Sequence, residues 1–446
     1  MAWQISKDGR VDRLVVFRAM ADGTTVPIGE LLFEGGGRVR QSRFRYAGSW
    51  MKRPGRVAID PVGLPLLSSS APTSSTPHEV PLAFYDAGPD GWGKRVIDAN
   101  YPGLTIGMGE YLALGGPNRT GDLLFGPTPD GPATWCPDGF PVDIPGEAEL
   151  GDLLEAAMTH DDGIPNEKQL RLLLHSSADT GGARPKARIR QGGREWIAKF
   201  PASGDRFDNP RTEAACLDIA RAAGMAIPDH ELLSVRGKSV LLVRRFDRGK
   251  NGIRHGYISV GTLLQQPPAD YSTRLTYLDI AIKAKAIGIV GAHAEIFRRL
   301  LVNSFVRNTD DHLRNMGLIR VGAEWQLAPG FDILPHFPAN HVMAAVPGLS
   351  NTPNLHAHRN DPAWAFSTYL HFGLDKQAAA QIYDQVASAA QGIVKAMDKA
   401  GIGDSDRVIL RKLLGHCHNP PAIADIEPIP IARGRRKTQK ESEAHV

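Results

Sequence analysis

Cysteine is scarce in this chain of 446 residues: Cys136, Cys216 and Cys417 stand far apart and form no C-x-x-C pair. That spacing excludes a disulfide-built scaffold and a cysteine zinc ribbon, and it fits a reducing compartment. Long apolar runs are missing as well. No stretch approaches the ~18 apolar residues of a membrane helix, and the opening MAWQISKDGRVDRLVVF carries charges where a secretion leader needs an apolar run. A cytoplasmic protein without a membrane partner is expected. Charge of one sign is not in excess either: 52 basic against 48 acidic residues leave a net charge of +4, which does not by itself mark a nucleic-acid binder. There is no internal repeat, and neither G-x-S-x-G nor GxxxxGK[ST] occurs. What is present is 42% hydrophobic and 22% charged residues, enough for a core that needs no metal or disulfide. At about 150 residues per domain, the length predicts two or three domains or one two-lobed body.

The chain divides by composition. Residues 1–130 read as short strands and turns, such as RLVVFRA and GELLFEGGGRVRQSRFRY, interrupted by the Ser/Thr/Pro stretch LLSSSAPTSSTPHEVP. A Pro-rich connector over about 126–147 marks the boundary to the rest. Residues 148–248 run helix (EAELGDLLEAAMTH), glycine loop (DTGGARPK), strand (EWIAKF), a helix opening near Thr212 and a strand (SVLLVRRFD). Residues 249–425 are mostly helical. They include AEIFRRLLVNSFVRN, where Ile296, Leu300 and Ser304 share one face and Phe297, Leu301 and Phe305 the next, and a long helix AAAQIYDQVASAAQGIVKAMDKAG. Residues 426–446 are expected to form a disordered basic tail, since ARGRRKTQKESEAHV, after the proline-punctuated PIPI, is rich in Arg and Lys with almost no apolar side chains. A small mixed lobe followed by a larger helical one leaves a cleft in which a nucleotide can sit.

Asp310 and Asn315 stand five apart in TDDHLRN, the D-x-x-x-x-N spacing of a kinase catalytic loop, where the Asp orients and deprotonates a hydroxyl and the Asn holds a metal ion. Asp332 follows past a strand pair, in GFD, where a second carboxylate can return to the same metal. Magnesium takes hard oxygen ligands, one or two from carboxylates, and Asn315 with Asp332 meets that need. Lys199 is the one lysine of EWIAKF, and Glu213, at the start of the next helix, is its natural counter-ion. Gly181 and Gly182 let main-chain amides approach phosphate closely. Each element occurs often by chance; their order is what points to phosphoryl transfer. Asp311 reads as a solvated or loop-capping carboxylate and His312 as a brace of the loop, since magnesium avoids imidazole. His336, His341, His356 and His358, and His416 and His418 around Cys417, lack the spacing of a zinc site.

With these residues in hand, the sequence closely resembles the HipA family, the serine/threonine kinase toxins of bacterial type II toxin–antitoxin systems. GGARPKA, WIAKFP, TEAACLDIARAAGMAIP, RRFDR, NTDDHLRN and FDILP resemble the family in kind and order, and PDGWGKR and RTGDLLFGP resemble its first subdomain. The resemblance implies an α+β, two-lobed protein-kinase-like fold with a small mixed N-terminal subdomain and a larger helical C-terminal lobe. It implies ATP and Mg2+ as cofactors, with Asp310 as catalytic base, Lys199 on the phosphates, and Asn315 and Asp332 on magnesium. Gly181, Gly182, Ala183, Lys186, Glu213 and His312 would complete the nucleotide site, and Phe246 and Asp247 would form the adenine and ribose hinge. It further implies phosphorylation of an aminoacyl-tRNA synthetase, the glutamyl enzyme most often, with growth arrest or persistence as the result. A HipB-like helix-turn-helix antitoxin would neutralise the toxin and bring the complex to DNA. Two positions depart from the family pattern: Arg244 stands where many members have an acidic residue, and Asp179 where many have an autophosphorylated serine, leaving Thr180, Ser177 and Ser176 as alternative acceptors. Two other readings are a small-molecule kinase sharing the cleft and a non-catalytic pseudokinase acting in an antitoxin–DNA complex.

Overall fold

A computed structural model of the chain describes residues 3–6, 9–35, 40–67, 74–75, 79–137, 150–267, 274–336, 343–349 and 358–431. The N-terminal region is built on strands β1 (Arg13–Ala19), β2 (Thr25–Glu34) and β3 (Gln41–Tyr46), followed by helix α1 (Gly48–Met51) and strand β4 (Ser74–Ser75). Helices α2 (Leu82–Ala87), α3 (Gly91–Asn100) and α4 (Met108–Leu114) then lead to β5 (Leu123–Gly126). These strands form one antiparallel sheet in the order β4-β3-β2-β1-β5. Strand β3 buries alternate residues, Ser42 and Phe44, as a sheet with one covered face requires.

Helices α5 (Leu150–Asp161) and α6 (Glu167–Ser177) precede a second sheet of β6 (Lys186–Gln191), β7 (Arg194–Lys199), β8 (His230–Val235) and β9 (Lys238–Arg244), with α7 (Asn209–Ala222) between β7 and β8. The order is β6-β7-β9-β8, all antiparallel. Two-residue turns close both hairpins. Gly192 and Gly193 both have positive φ, the backbone that such a turn demands and that glycine adopts without strain. A third sheet, β10-β11-β12, joins β10 (Gly256–Ser259) to the hairpin of β11 (Gly317–Val321) and β12 (Glu324–Leu327). Around it stand α8 (Val260–Leu263), α9 (Tyr277–Ala286), α10 (Ala292–Phe305), α11 (Pro362–Phe366), α12 (Lys376–Gln391), α13 (Ile393–Ala400) and α14 (Asp404–Leu413). Among the described residues, no helix is long and apolar enough to cross a membrane.

The main core runs without a break from the N-terminal sheet (Phe44, Phe84, Phe125) through Ile258, Val260 and Leu263 to the buried residues of α10. Both faces read from the α10 sequence are buried, Ile296, Leu300 and Ser304 as well as Phe297, Leu301 and Phe305. A second core lies behind the β6–β9 sheet, where Trp92, Val96 and Ile97 of α3 pack with Leu153, Leu154, Leu173, Ile189 and Trp196. Helix α3 thus belongs by sequence to the N-terminal region and by packing to the β6–β9 sheet.

Three expectations are revised by local chemistry. Helix α7 opens at Asn209, not near Thr212, because Asp208 accepts the amide of Arg211 at 3.0 Å and Pro210 occupies the first turn, where its missing N–H costs nothing. The expected long helix of the C-terminal region is two helices separated at Gly392. The segment 426–431, expected to begin the disordered tail, docks on the helical lobe: the amide of Ile429 donates to Ser367 O at 2.7 Å. The remainder of that tail, 432–446, lies outside the described residues, as do much of the Ser/Thr/Pro stretch and much of the connector.

The N-terminal sheet and the third sheet are joined by a buried carboxylate. Asp122 pairs with Arg18 at 3.1 Å and with Arg320, and all three side chains are under a tenth exposed. Asp122→Ala leaves two guanidiniums buried without that counter-ion, which is expected to cost ~3–5 kcal/mol, whereas breaking the exposed Arg43–Glu34 pair should cost less than ~1 kcal/mol. Urea denaturation of Asp122→Ala and Arg43→Ala measures both, and equal losses would contradict this account.

Candidate active site

Strand register decides which residues face the cleft. Lys186 and Lys199 are direct partners across β6 and β7, as are Arg188 and Ile197, so all four side chains project from one face of the sheet. Ala187, Ile189, Trp196 and Ala198 project from the other face into the second core. On the first face lies a cavity of about 530 Å³. Its walls bring together Gly181, Gly182, Ala183, Lys186, Lys199, Phe246, Asp247, His312, Asn315 and Asp332, all singled out from the sequence.

Lys199 is the electrostatic centre of this cavity. Its Nζ lies 2.6 Å from Glu213 Oε1 and is paired with Asp332 on its other side. Burial disfavours every charge in this trio. The ammonium is nevertheless held above its ordinary pKa by Asp332 and Glu213, and Asp332 is held well below the usual carboxylate range by Lys199 and Lys186. Glu213 is pushed up by burial, which Lys199 offsets only in part. Asp332 has φ +54°, a left-handed backbone that Asp tolerates better than most residues.

Lys186 differs from its neighbour. It is buried, yet among the described residues no carboxylate lies within salt-bridge distance, and burial lowers its pKa. Its Nζ reaches into the glycine loop: a Cβ on Gly182, where φ is +72°, would sit 2.6 Å from it. Among the described residues, the amides of Gly181, Gly182 and Ala183 meet no acceptor. Three free amides beside a buried ammonium without a counter-ion form a ready site for an anion.

The loop after α10 carries the remaining groups. Asn315 Nδ2 donates to Asp310 O at 2.6 Å, which closes the loop and leaves the amide oxygen as its acceptor. The Asp310 carboxylate is about a quarter exposed, does not line the cavity itself, and stands 3.7 Å from His336 Nε2. His312 accepts the amide of Arg314 through Nδ1 at 3.2 Å, the bracing bond expected of it. Asp311, expected to be solvated or loop-capping, is instead buried and pairs with Arg359 and the hydroxyl of Tyr277. A buried Arg can hold an ionised carboxylate away from water, which a motif spacing does not reveal.

Phe246 stacks on Phe331 at 5.7 Å and supplies an apolar wall. Asp247 beside it is committed elsewhere. Its two oxygens accept from Arg245, Arg248 and the amide of Gly121, and those arginines, acting against burial, hold it far below the usual carboxylate range. Arg245, Arg248 and Arg254 also donate to the carbonyls of residues 117–121. This segment carries Asn118 and Thr120 into the cavity wall, where Asp86, Asp90 and Gly91 of the N-terminal region join them. Sequence reasoning missed these residues; the flanking arginines of RRFDR were the one local sign. Arg244, the departure at the hinge, pairs with Asp229 at 2.9 Å at the rim.

Asp179 stands where many members of the family that the sequence resembles have a serine. It is buried and paired with Arg188, while Arg184 pairs with Asp205. Thr180 Oγ1 is engaged with Ser177 O at 2.8 Å, and Ser177 Oγ with Lys186 O at 2.7 Å. Of the histidines considered for zinc, His341 and His356 lie outside the described residues, His358 stacks on Trp364, and Cys417 donates to Phe305 O.

Residues 178–393 match the family model of the HipA-like C-terminal domain. The Sinorhizobium fredii (strain NBRC 101917 / NGR234) protein named "Putative kinase Y4dM" is 28% identical over 162 residues, which are 33% of this chain and 38% of that protein. The match therefore spans well under half of the relative's length. Among solved structures, a chain of the Shewanella oneidensis MR-1 toxin–antitoxin system HipA, HipB and operator DNA complex superposes with a TM-score of 0.61 at 15% identity, covering 91% of this chain and 96% of that one. The Helicobacter pylori proinflammatory kinase CtkA gives a TM-score of 0.30 at 13% identity, over 48% of this chain and 94% of that one. The α+β architecture, two lobes about one cleft, is shared with that chain of the HipA, HipB and operator DNA complex, and over residues 178–393 the protein carries a HipA-like C-terminal domain.

Proposed function

We propose that the chain is an ATP-dependent serine/threonine protein kinase of the HipA toxin type. The observation that carries this reading is the buried Lys186 ammonium without a counter-ion, set beside the free amides of Gly181, Gly182 and Ala183 and the Lys199–Asp332 pair. Lys186 and the three amides bind phosphate oxygens. Lys199, oriented by Glu213, meets phosphate from the opposite strand. Ile197, Val243, Phe246 and Phe331 give an apolar surface for a base. Asn315 and Asp332 supply the hard oxygen donors that suit magnesium and would hold it. When held by these two residues, the metal ion would supply charge neutralisation to the phosphoryl oxygens. Asp310, partly exposed on the loop that carries Asn315, orients the acceptor hydroxyl and takes its proton as the hydroxyl oxygen bonds to the γ-phosphorus and ADP leaves.

The family resemblance supports an aminoacyl-tRNA synthetase, the glutamyl enzyme favoured, as the protein that accepts the phosphate, with loss of translation and growth arrest or persistence as the outcome. The fold shared with a chain of a HipA–HipB–operator complex supports a HipB-like antitoxin as partner and contact with DNA through it. Asp179, held by Arg188, takes the place of a regulatory phosphoserine and keeps the glycine loop seated, with Thr180 the adjoining hydroxyl.

Asp310→Ala and Asp332→Asn are each expected to lower phosphate transfer from labelled ATP by at least ~100-fold, one through loss of the base and the other through loss of a metal ligand. Undiminished transfer by either would overturn the assignment. Magnesium with ATP at 100 times its dissociation constant should stabilise the wild-type chain by about 2.7 kcal/mol in thermal melts, and magnesium or zinc alone should not. Lys199→Met leaves Glu213 and Asp332 without their cation and should destabilise the apo chain by ~3–5 kcal/mol, part of which Glu213→Gln restores in the double variant.

A further inference from the structure

The glycine loop is held from outside the nucleotide-binding part. The amide of Asp90 donates to Thr180 O at 3.2 Å, and the amide of Trp92 to Gly182 O at 2.7 Å. The guanidinium of Arg95 donates to Ala183 O at 2.8 Å. All three donors come from α3 and the residue before it, and all three acceptors are carbonyls of the loop. Each of these carbonyls shares a planar peptide unit with the next residue's N–H, so the bonds to Thr180 O and Gly182 O turn the free amides of Gly181 and Ala183 away from α3.

The approach is close enough to need glycine on the α3 side. A Cβ on Gly91 would stand 2.8 Å from Gly182 O and 2.9 Å from Ala183 Cα; one on Gly93 would stand 2.6 Å from Thr180 O and 3.1 Å from Ser177 O. Neither glycine has a positive φ, so close packing is the reason for the small residue rather than backbone freedom. The helix itself is anchored. Trp92, Val96 and Ile97 are buried in the second core, and Asn100 Nδ2 donates to Leu170 O at 3.0 Å. The same helix start reaches the catalytic loop, where Asp90 Oδ2 lies 3.5 Å from Arg314 Nε, between Asp310 and Asn315 in sequence.

We propose that the G-W-G-K-R segment of α3 positions the glycine loop for phosphate binding, with Gly91 and Arg95 as positioning residues. The proposal rests on the nucleotide reading of the cavity. It assigns the N-terminal region a share in ATP affinity that the ordered kinase motifs, all C-terminal to it, do not contain.

Arg95 is half exposed, pairs at 3.7 Å with Asp161 and covers the ring of Trp92 at 5.0 Å, so its truncation leaves the fold intact. Arg95→Ala removes one loop bond, and the expected result is a rise of about fivefold in KM for ATP, the equivalent of one ordinary hydrogen bond, with kcat changed less than about twofold. Arg95→Lys, which keeps one donor, should recover at least half of the loss. Gly91→Ala should raise KM by more than about tenfold, and Arg43→Ala, on the far sheet, should leave it unchanged. Amide hydrogen exchange of residues 177–186 in the intact chain without nucleotide gives a reading independent of activity: it should quicken in Arg95→Ala and Gly91→Ala, while exchange of residues 230–243 stays as in the wild type. Unchanged loop exchange overturns the proposal, and so does faster exchange with unaltered ATP affinity. A wild-type chain that binds no ATP sinks the nucleotide reading instead, and loop exchange then decides the clamp alone.

Discussion

One ammonium group holds the cleft together. Lys199 stands on β7, Glu213 on α7 and Asp332 after β12, and the three meet although 133 residues separate Lys199 from Asp332. Buried charges are costly unless paired, so each of these side chains makes the burial of the others tolerable. Lys186, one strand away on the same face, lacks such a partner. A lysine with two carboxylate partners and one with none in salt-bridge contact among the described residues thus stand side by side on one wall of the cavity.

A second group of charges serves a mechanical purpose. Arg245, Arg248 and Arg254 direct their guanidiniums at main-chain carbonyls of residues 117–121, and Arg119 does likewise toward Ala87, Leu112 and Gly115. Arginine suits this task because its planar fork reaches two or three acceptors at once and is more weakly hydrated than an ammonium. A connection that would otherwise expose unpaired carbonyls becomes a rigid wall of the cavity. The near-balance of total charge conceals this, because the arginines are buried where they act.

How much of this could be read from the sequence depended on the range of the interaction involved. The glycine loop, lysine strand, glutamate helix and D-x-x-x-x-N loop were legible because each places its functional residue by local geometry: strand alternation, a helix's first turn, a loop spacing. Helix α10 was legible from its periodicity. Asp247 was readable as a cleft residue but not as a buried tether, since that depends on Gly121, 126 residues away. Asp311 and Arg359, and the approach of α3 to the glycine loop, were hidden for the same reason. Asp208 and Pro210 were different: their helix-start pattern is local and was available, and the apolar run beginning near Thr212 drew attention from it.

The backbone at Asp332 also bears on how such a protein changes over evolutionary time. A left-handed φ of +54° favours Gly, Asn and Asp over β-branched or bulky residues, so the position is restricted by conformation as well as by chemistry. Substitutions there are therefore not drawn evenly from the other residue types. Asn keeps the turn and nearly the same shape while surrendering the charge, so the substitutions this backbone admits most readily change the charge beside Lys199 and leave the path of the chain in place.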